Sequence, residues 1–178
     1  MYRSNCPTPP FAILADVQPE KVTDLDASMI TLRLRPFHID LDEPTITGWM
    51  LDESTRTRMA GMLPLDQFFA RVIALPNRKI WLAEVSRRPV GLVDVEIYTD
   101  RTASVSLMVD PYQRREGYGH RILRTAMRLK EMQGLKFQAY VASDNVASFA
   151  CFRKAGFVEH SIGELHDGFH LLEWSAAP

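Results

Sequence analysis

A chain of 178 residues, 46% hydrophobic and 24% charged, is long enough to bury one core of ordinary size without metal or disulfide staples. Lys and Arg number 21 against 22 Asp and Glu, a net charge of −1, which excludes the broad basic surface of a general nucleic-acid binder. No apolar run approaches the ~18 residues of a membrane span, no basic and then apolar leader opens the chain, and two distant cysteines, Cys6 and Cys151, make neither a disulfide framework nor a zinc site. The expectation is a cytoplasmic protein with free thiols, no metal, and no nucleic-acid or membrane partner.

Residues 1–29 hold Pro7, Pro9, Pro10 and Pro19 and no sustained period, so they read as an irregular N-terminal arm ahead of a single domain over 30–178. Ile30, Leu32 and Leu34 alternate with polar residues, a strand that Pro36 ends. Residues 39–56 mix apolar and acidic positions and predict a helix, interrupted at Gly48. Pro64 opens a second helix through Leu75, with Phe68, Val72 and Leu75 on one face. A meander follows. Its strands are Ile80 to Val85, Val90 to Tyr98 and Ala103 to Val109, with turns at Arg87-Arg88-Pro89 and Thr99-Asp100-Arg101. On the middle strand Val93, Val95 and Ile97 share one face; Leu92, Asp94, Glu96 and Tyr98 share the other.

The pattern then changes to strand, loop and helix. Gly117 and Gly119 lead into a helix with Tyr118, Ile122, Ala126 and Leu129 on its apolar face, stopped at Gly134. Phe137 to Ala142 is a strand. Asp144 or Asn145 caps a helix to Lys154, with Gly156 as its stop, and Phe157 to Ile162 with Phe169 to Trp174 form a closing hairpin. The order predicts an α/β (α+β) domain with a mixed sheet.

The loop Val109 to His120 carries the chemistry. Its core, Arg114 to Gly119, reads R-x-x-G-x-G. The first turn of a helix has free N–H groups and a partial positive charge, and glycines there let a phosphate approach the backbone. Arg114, Arg115, His120, Arg121 and Arg124 add positive charge, so the stretch predicts a diphosphate site. A solvated loop with a plain helix start is the ordinary alternative. It is neither a Walker loop nor a dinucleotide fingerprint, since no Gly-Lys-Ser or Gly-Lys-Thr is present and Ile122 stands where the third glycine belongs.

This stretch resembles motif A of the GCN5-related N-acetyltransferases, the GNAT family, which bind acetyl-CoA. A second segment, Asn145 to Phe157, is similar to the family's N-x-x-(A/S)-x-x-x-(Y/F)-x-x-x-G-F, and the two occur in the expected order. The resemblance covers Ile30 to Trp174. With Leu34-Arg35-Pro36 and the helical region before the meander, it looks most like the branch that acetylates ribosomal protein N-termini and aminoglycosides. The fold it implies is a mostly antiparallel central sheet with helices on both faces. It implies that pantetheine pairs with the strand Leu107-Met108-Val109, between two splayed parallel strands. The diphosphate would meet Arg114, Arg115, Glu116, Gly117, Tyr118, Gly119 and His120, with Asn145 near the pantetheine and Phe152 beside the thioester. Asn145 also reads as an N-cap and Phe152 as core.

The resemblance leaves the proton chemistry open. The family's tyrosine acid falls on Phe152, a glutamate common in the N-terminal branch falls on Tyr140, and another carboxylate falls on Ser104. Glu96, Asp94 and Tyr140 are the substitutes on strands; His160, His166 and His170 in the closing segment are others, each with an ordinary surface reading. Asp40, Asp42, Glu43, Asp52 and Glu53 make the first helical region acidic, which would draw a cationic amine or simply be a solvated face. Trp49, Met50, Met59, Met62, Phe68 and Phe69 would line an acceptor pocket or fill the core. The function expected is an acyl-CoA-dependent N-acyltransferase, moving acetyl from acetyl-CoA to a small-molecule amine or a protein N-terminus by direct attack in a ternary complex. The alternatives are a non-catalytic acetyl-CoA-binding module and transfer of a different acyl group. The family's habit of pairing through its last strands also allows a homodimer.

Overall fold

A computed structural model describes residues 31–160 and 168–175. The N-terminal arm, Cys6 and His166 lie outside them. Seven strands form one sheet in the order β1-β2-β3-β4-β5-β7-β6: β1 (Arg33–Pro36), β2 (Arg78–Val85), β3 (Arg88–Ile97), β4 (Thr102–Val109), β5 (Lys136–Ala142), β6 (Val158–Glu159) and β7 (Phe169–Trp174). All neighbours are antiparallel except β4 and β5, which run parallel.

Alternation along the meander builds two cores, one on each sheet face. Val93, Val95 and Val105 point toward α4 (Tyr118–Met127) and α5 (Val146–Ala155), where Ile122, Leu123, Ala126 and Phe152 complete the larger core. Leu92, Ile80, Leu82 and Met108 point the other way. There Ile46, Trp49, Phe69 and Val72 come from α1 (Ile39–Trp49) and α3 (Leu65–Ile73). Gly91 lets α4 lie close on the sheet: a Cβ there would fall 2.5 Å from Ile122 Cδ1 and 2.7 Å from the Met108 carbonyl oxygen. The expected mixed sheet with helices on both faces is the fold observed.

Several boundaries differ. The helical region over 39–56 is two helices, α1 and α2 (Glu53–Arg58), because Asp52 restarts the chain as an N-cap: its Oδ1 accepts from the Thr55 N–H at 2.7 Å. α3 ends at Ile73, before Leu75, which is exposed, while Phe69 joins Phe68 and Val72 in the core. The first meander turn is Ser86-Arg87, both at positive φ, one residue earlier than Arg87-Arg88-Pro89. Two positive-φ residues make a tight turn whose twist matches the strands, and it puts Pro89 inside β3. The strand expected over Phe157 to Ile162 is only Val158–Glu159 within the described residues.

A half-buried ion pair ties the sheet edge to α1. Arg35 donates to both oxygens of Asp42 at 2.6 and 2.7 Å and to Glu84 at 2.7 Å, and Asp42 also accepts from the His38 N–H at 2.8 Å. Burial alone would raise the Asp42 carboxyl; Arg35 and the His38 N–H outweigh it and hold the group below the usual carboxylate range. Asp42→Asn is therefore expected to cost about 2 kcal/mol, less than a fully buried pair because Arg35 is partly exposed. The native folded value is depressed. The difference between the two proteins is therefore full above the unfolded carboxyl pKa of about 4 and disappears as pH falls through the lower native value. Denaturant titrations of both proteins from pH 7 downward measure it.

Candidate functional site

The site begins where β4 and β5 part. Their ladder runs only from Thr102↔Lys136 to Ser104↔Gln138, while β4 stays paired with β3 out to Val109. Beyond Ser104 the strands diverge. The edge of Leu107, Met108 and Val109 that faces β5 borders a cleft of about 650 Å³. Its other walls are the loop into α4, one face of α5, and α2.

The loop is shaped by local bonds. The Asp110 carboxylate accepts from the Tyr112 N–H at 3.0 Å and from Gln113 Nε2 at 2.6 Å, closing a single helical turn over Pro111–Gln113. Arg115 and Gly117 then take positive φ, 68° and 76°. Left-handed residues beside extended or helical ones turn successive N–H groups toward one side, a concavity suited to an anion, and the first turn of α4 adds its own unpaired N–H groups. Gly119 is needed for closeness: a Cβ there would lie 2.6 Å from Cys151 Sγ and 3.3 Å from Leu107 Cδ2.

Positive charge gathers at this end. Arg114, Arg115, His120 and Lys154 border the cleft. Burial, and then Lys154, Arg124 and Arg121, push the His120 imidazole below its ordinary pKa. Arg114 Nη2 donates to Asp52 Oδ1 at 2.8 Å and to Thr55 Oγ1 at 2.5 Å, which fastens α2 to the loop.

On the α5 wall Asn145 is the N-cap, its Oδ1 accepting from the Ser148 N–H at 3.1 Å, and it borders the cleft as well. Both expected roles fit one position. Cys151 lies two turns along the same face; burial, with Lys154 opposing, raises its thiol to about 11. Of the residues singled out for the cofactor, Leu107, Met108, Val109, Arg114, Arg115, Gly117, Tyr118, Gly119, His120 and Asn145 border the cleft. Glu116 is exposed outside it. Phe152 is 4% exposed and packs edge-on against Phe157 at 5.0 Å, in the core and away from the cleft wall. Sequence reasoning missed Cys151 and Lys154, which the spacing from Asn145 and Ser148 along a helix would have found. It also missed Thr55 and Arg58 of α2, for which no local signal existed; Met59, offered above for an acceptor pocket, follows α2 and borders the cleft.

A second cavity of about 210 Å³ opens from the same place and shares Arg58, Met59, Leu107 and Met108 with the cleft. Met62, Phe68 and Leu92 supply its apolar walls. Trp49, Met50 and Phe69, offered above as pocket or core, are core. Asp94 is no solvated strand residue: it is 7% exposed, and Arg78 donates to both its oxygens, Nη2 to Oδ2 at 2.5 Å and Nε to Oδ1 at 2.9 Å. Glu96 is half-buried, 3.6 Å from Arg78 Nη1. The register Glu96↔Ser104↔Gln138 places Glu96 on the same sheet face as Tyr140, which is 57% exposed. His160 and His170 pair with Glu173 at 2.8 Å and Glu159 at 2.7 Å on the closing hairpin. Within the acidic first helical region, Asp42 is paired with Arg35 and Asp52 with Thr55 and Arg114, Glu43 accepts from the Thr47 hydroxyl at 2.6 Å, and Asp40 and Glu53 are exposed. Arg58 makes a two-point pair with Asp144 across the cleft mouth, at 2.6 and 2.9 Å. Among the described residues, no group of three or more His, Cys, Asp or Glu could hold a metal ion, and no helix is long and apolar enough to cross a membrane.

Comparison with known proteins agrees with this geometry. The profile of the acetyltransferase (GNAT) family matches residues 41–157. A curated relative, the uncharacterized N-acetyltransferase YfmK of Bacillus subtilis strain 168, is 36% identical over 125 residues, 70% of this chain and 84% of its own. Among solved structures, the spermidine N-acetyltransferase of Vibrio cholerae in complex with CoA and spermine superposes with a TM-score of 0.63 at 18% identity, over 80% of this chain and 92% of that one. The aminoglycoside acetyltransferase AAC(6')-Ib with coenzyme A and kanamycin gives 0.65 at 15% identity, over 82% and 95%. At such identities the likeness is one of fold.

Proposed function

Because this chain belongs to the acetyltransferase (GNAT) family, we propose that residues 30–178 act as one acetyltransferase domain that joins acetyl-CoA and an amine in a ternary complex. The chain is an acetyl-CoA-dependent N-acetyltransferase. The amine nitrogen bonds to the thioester carbonyl carbon, the carbon–sulfur bond breaks, one proton leaves the nitrogen and the thiolate of CoA gains one. The observation that carries the cofactor assignment is the cleft itself. Its volume lies within the roughly 300–1,000 Å³ of small-molecule sites, and it is bordered by a strand edge, a concave run of N–H groups and the cationic side chains Arg58, Arg114, Arg115 and Lys154.

In this reading the free edge of Leu107, Met108 and Val109 pairs with the pantetheine amides, and its N–H groups polarise the thioester carbonyl. Arg115, Gly117, Tyr118, Gly119 and His120 hold the diphosphate, with Arg114 shared between it and α2. Asn145 caps α5 and faces the pantetheine. Glu116 and Phe152 support the loop and the core behind the site. The second cavity takes the acceptor, a small-molecule amine or a protein N-terminus. Asp94 is committed to Arg78, so Glu96 is the carboxylate left on this face to take the proton through water, with Tyr140 as the hydroxyl that returns one to sulfur. Positioning supplies much of the rate. The reading places the protein in the cytoplasm and allows a homodimer through β6, which lies at the sheet edge.

A thermal-shift titration tests it. Acetyl-CoA at 100 times its Kd should add about 2.7 kcal/mol, roughly 5–10 °C for a chain of this size, and CoA should act alike while NAD should not. Thiol release with a panel of amines then reads turnover, with Glu96→Gln and Tyr140→Phe lowering kcat rather than raising KM. No shift with acetyl-CoA would remove the cleft as a cofactor site; a shift with no turnover would leave a binding module.

A further inference from the structure

Two proteins of similar fold are a spermidine N-acetyltransferase and an aminoglycoside acetyltransferase, and both of those substrates are polycations. The second cavity of this chain has the opposite character. It is bordered by two guanidiniums, Arg58 and Arg78, against one carboxylate, Asp94, and that carboxylate is already neutralised on both oxygens. Phe68 is covered by Arg78 at 5.4 Å, so the aromatic face that would attract an incoming cation holds one from this chain. Of the carboxylates of the first helical region, Asp42 and Asp52 are committed to Arg35 and Arg114, and none borders this cavity. Among the described residues, the two cavities are bordered by no carboxylate other than Asp94.

What the junction does offer is Arg58. It borders both cavities, and its only described partner is Asp144, whose side chain is 72% exposed. An exposed ion pair of this kind contributes little in water, and a carboxylate presented from inside the cavity has the same two-point geometry with less solvent around it. The remaining walls, Met59, Met62, Phe68, Leu92 and Met108, fit an apolar body. The volume, about 210 Å³, suits an amino-acid-sized molecule and lies below the ~300–1,000 Å³ of drug-sized ligands.

We infer that the acceptor is a small amine carrying its own carboxylate and an apolar side chain, an α-amino acid in chemical class. Arg58 exchanges Asp144 for that carboxylate and so sets specificity. This rests on the acetyltransferase reading above and narrows its acceptor. Binding the carboxylate at Arg58 leaves the amine beside Leu107 and Met108, the strand that both cavities share.

The test compares leucine, methionine and phenylalanine with their amides, and with spermidine and kanamycin, using acetyl-CoA and product detection by mass spectrometry. The amides are the stricter control, because their amines lose a proton more readily than those of the free acids. The native protein should use at least one acid with a kcat/KM about tenfold or more above its amide, the scale of a charge-assisted pair. Arg58→Gln should bring that ratio near one through KM, while Asp144→Asn, which frees Arg58, should lower KM for the acid and leave the amide unchanged. A merely structural pair would instead move acid and amide together. The inference is overturned if spermidine or kanamycin exceeds every acid, if the ratio survives Arg58→Gln, or if acetyl-CoA binds and none of the acids is acetylated. Acetylation of polycations alone would leave the N-acetyltransferase assignment standing. Absence of any acetyl-CoA thermal shift would take down both.

Discussion

Gly119→Val is expected to weaken CoA binding by about a hundredfold or more while the rest of the sheet stays folded. Gly119 is the second residue of α4 and sits where that helix touches both other walls of the cleft. A Cβ would lie 2.6 Å from Cys151 Sγ, 3.3 Å from Leu107 Cδ2 and 3.4 Å from Val109 Cγ2. The first distance is impossible and the other two are tight. The start of α4 must therefore lift from β4 and from α5, and its N–H groups lose their common direction. Overpacking of this kind costs ~1–3 kcal/mol in stability, but the loss at the anion site is larger because several hydrogen bonds depend on the same turn. Calorimetric titration with CoA reads the effect. Gly119→Ala should show a smaller loss, and Cys151→Ala in the same chain should recover most of it, since the closest contact is then gone. Native affinity in Gly119→Val would mean that the diphosphate does not rest on this turn.

Asp94→Asn should be the most destabilising single polar change in the described residues, by about 3 kcal/mol, or roughly 6–12 °C in Tm. Asp94 is 7% exposed and the Arg78 side chain 19%, so removing the carboxylate leaves a largely covered guanidinium in a cavity wall with Glu96, at 3.6 Å, as its remaining anionic neighbour among the described residues. The pair also joins β2 to β3 diagonally, between the registers Arg78↔Glu96 and Ile80↔Asp94. Replacing both partners, Arg78→Met with Asp94→Leu, should return most of the stability, because an apolar pair of similar volume carries no desolvation debt. Glu96→Gln, at a half-buried position, should change Tm by far less. Thermal unfolding of the four proteins decides the matter. If Asp94→Asn unfolds like the native chain, the carboxylate is not held for structure, and its place beside the acceptor cavity would make it a better proton acceptor than Glu96.

Much of this protein was legible from residue order. Alternation in Ile80 to Val109 placed three strands and their inward faces. The glycine and arginine run of Arg114 to Gly119 marked the loop that borders the cleft, and Asn145 with Gly156 bracketed α5. These signals are local: a strand's period, a cap and a turn residue are set by neighbours a few positions away. The turn at Ser86-Arg87 was hidden because neither residue is the glycine or asparagine that such a turn prefers.

What sequence could not determine depends on charges and walls brought together from far apart. Asp94, Asp42 and Asp52 look solvated in the chain, yet Arg78, Arg35 and Arg114 pair with them across 16, 7 and 62 positions. Phe152 belongs to a motif but is core, because the face of α5 that meets the sheet is fixed by packing with Phe157. Arg58 reaches the cleft from a six-residue helix with no motif at all. Period and turn chemistry therefore determined the fold and the loop and strand that border the cleft. The acceptor end was decided only by tertiary structure, since the sign of its charge is the sum of ion pairs that no stretch of sequence contains.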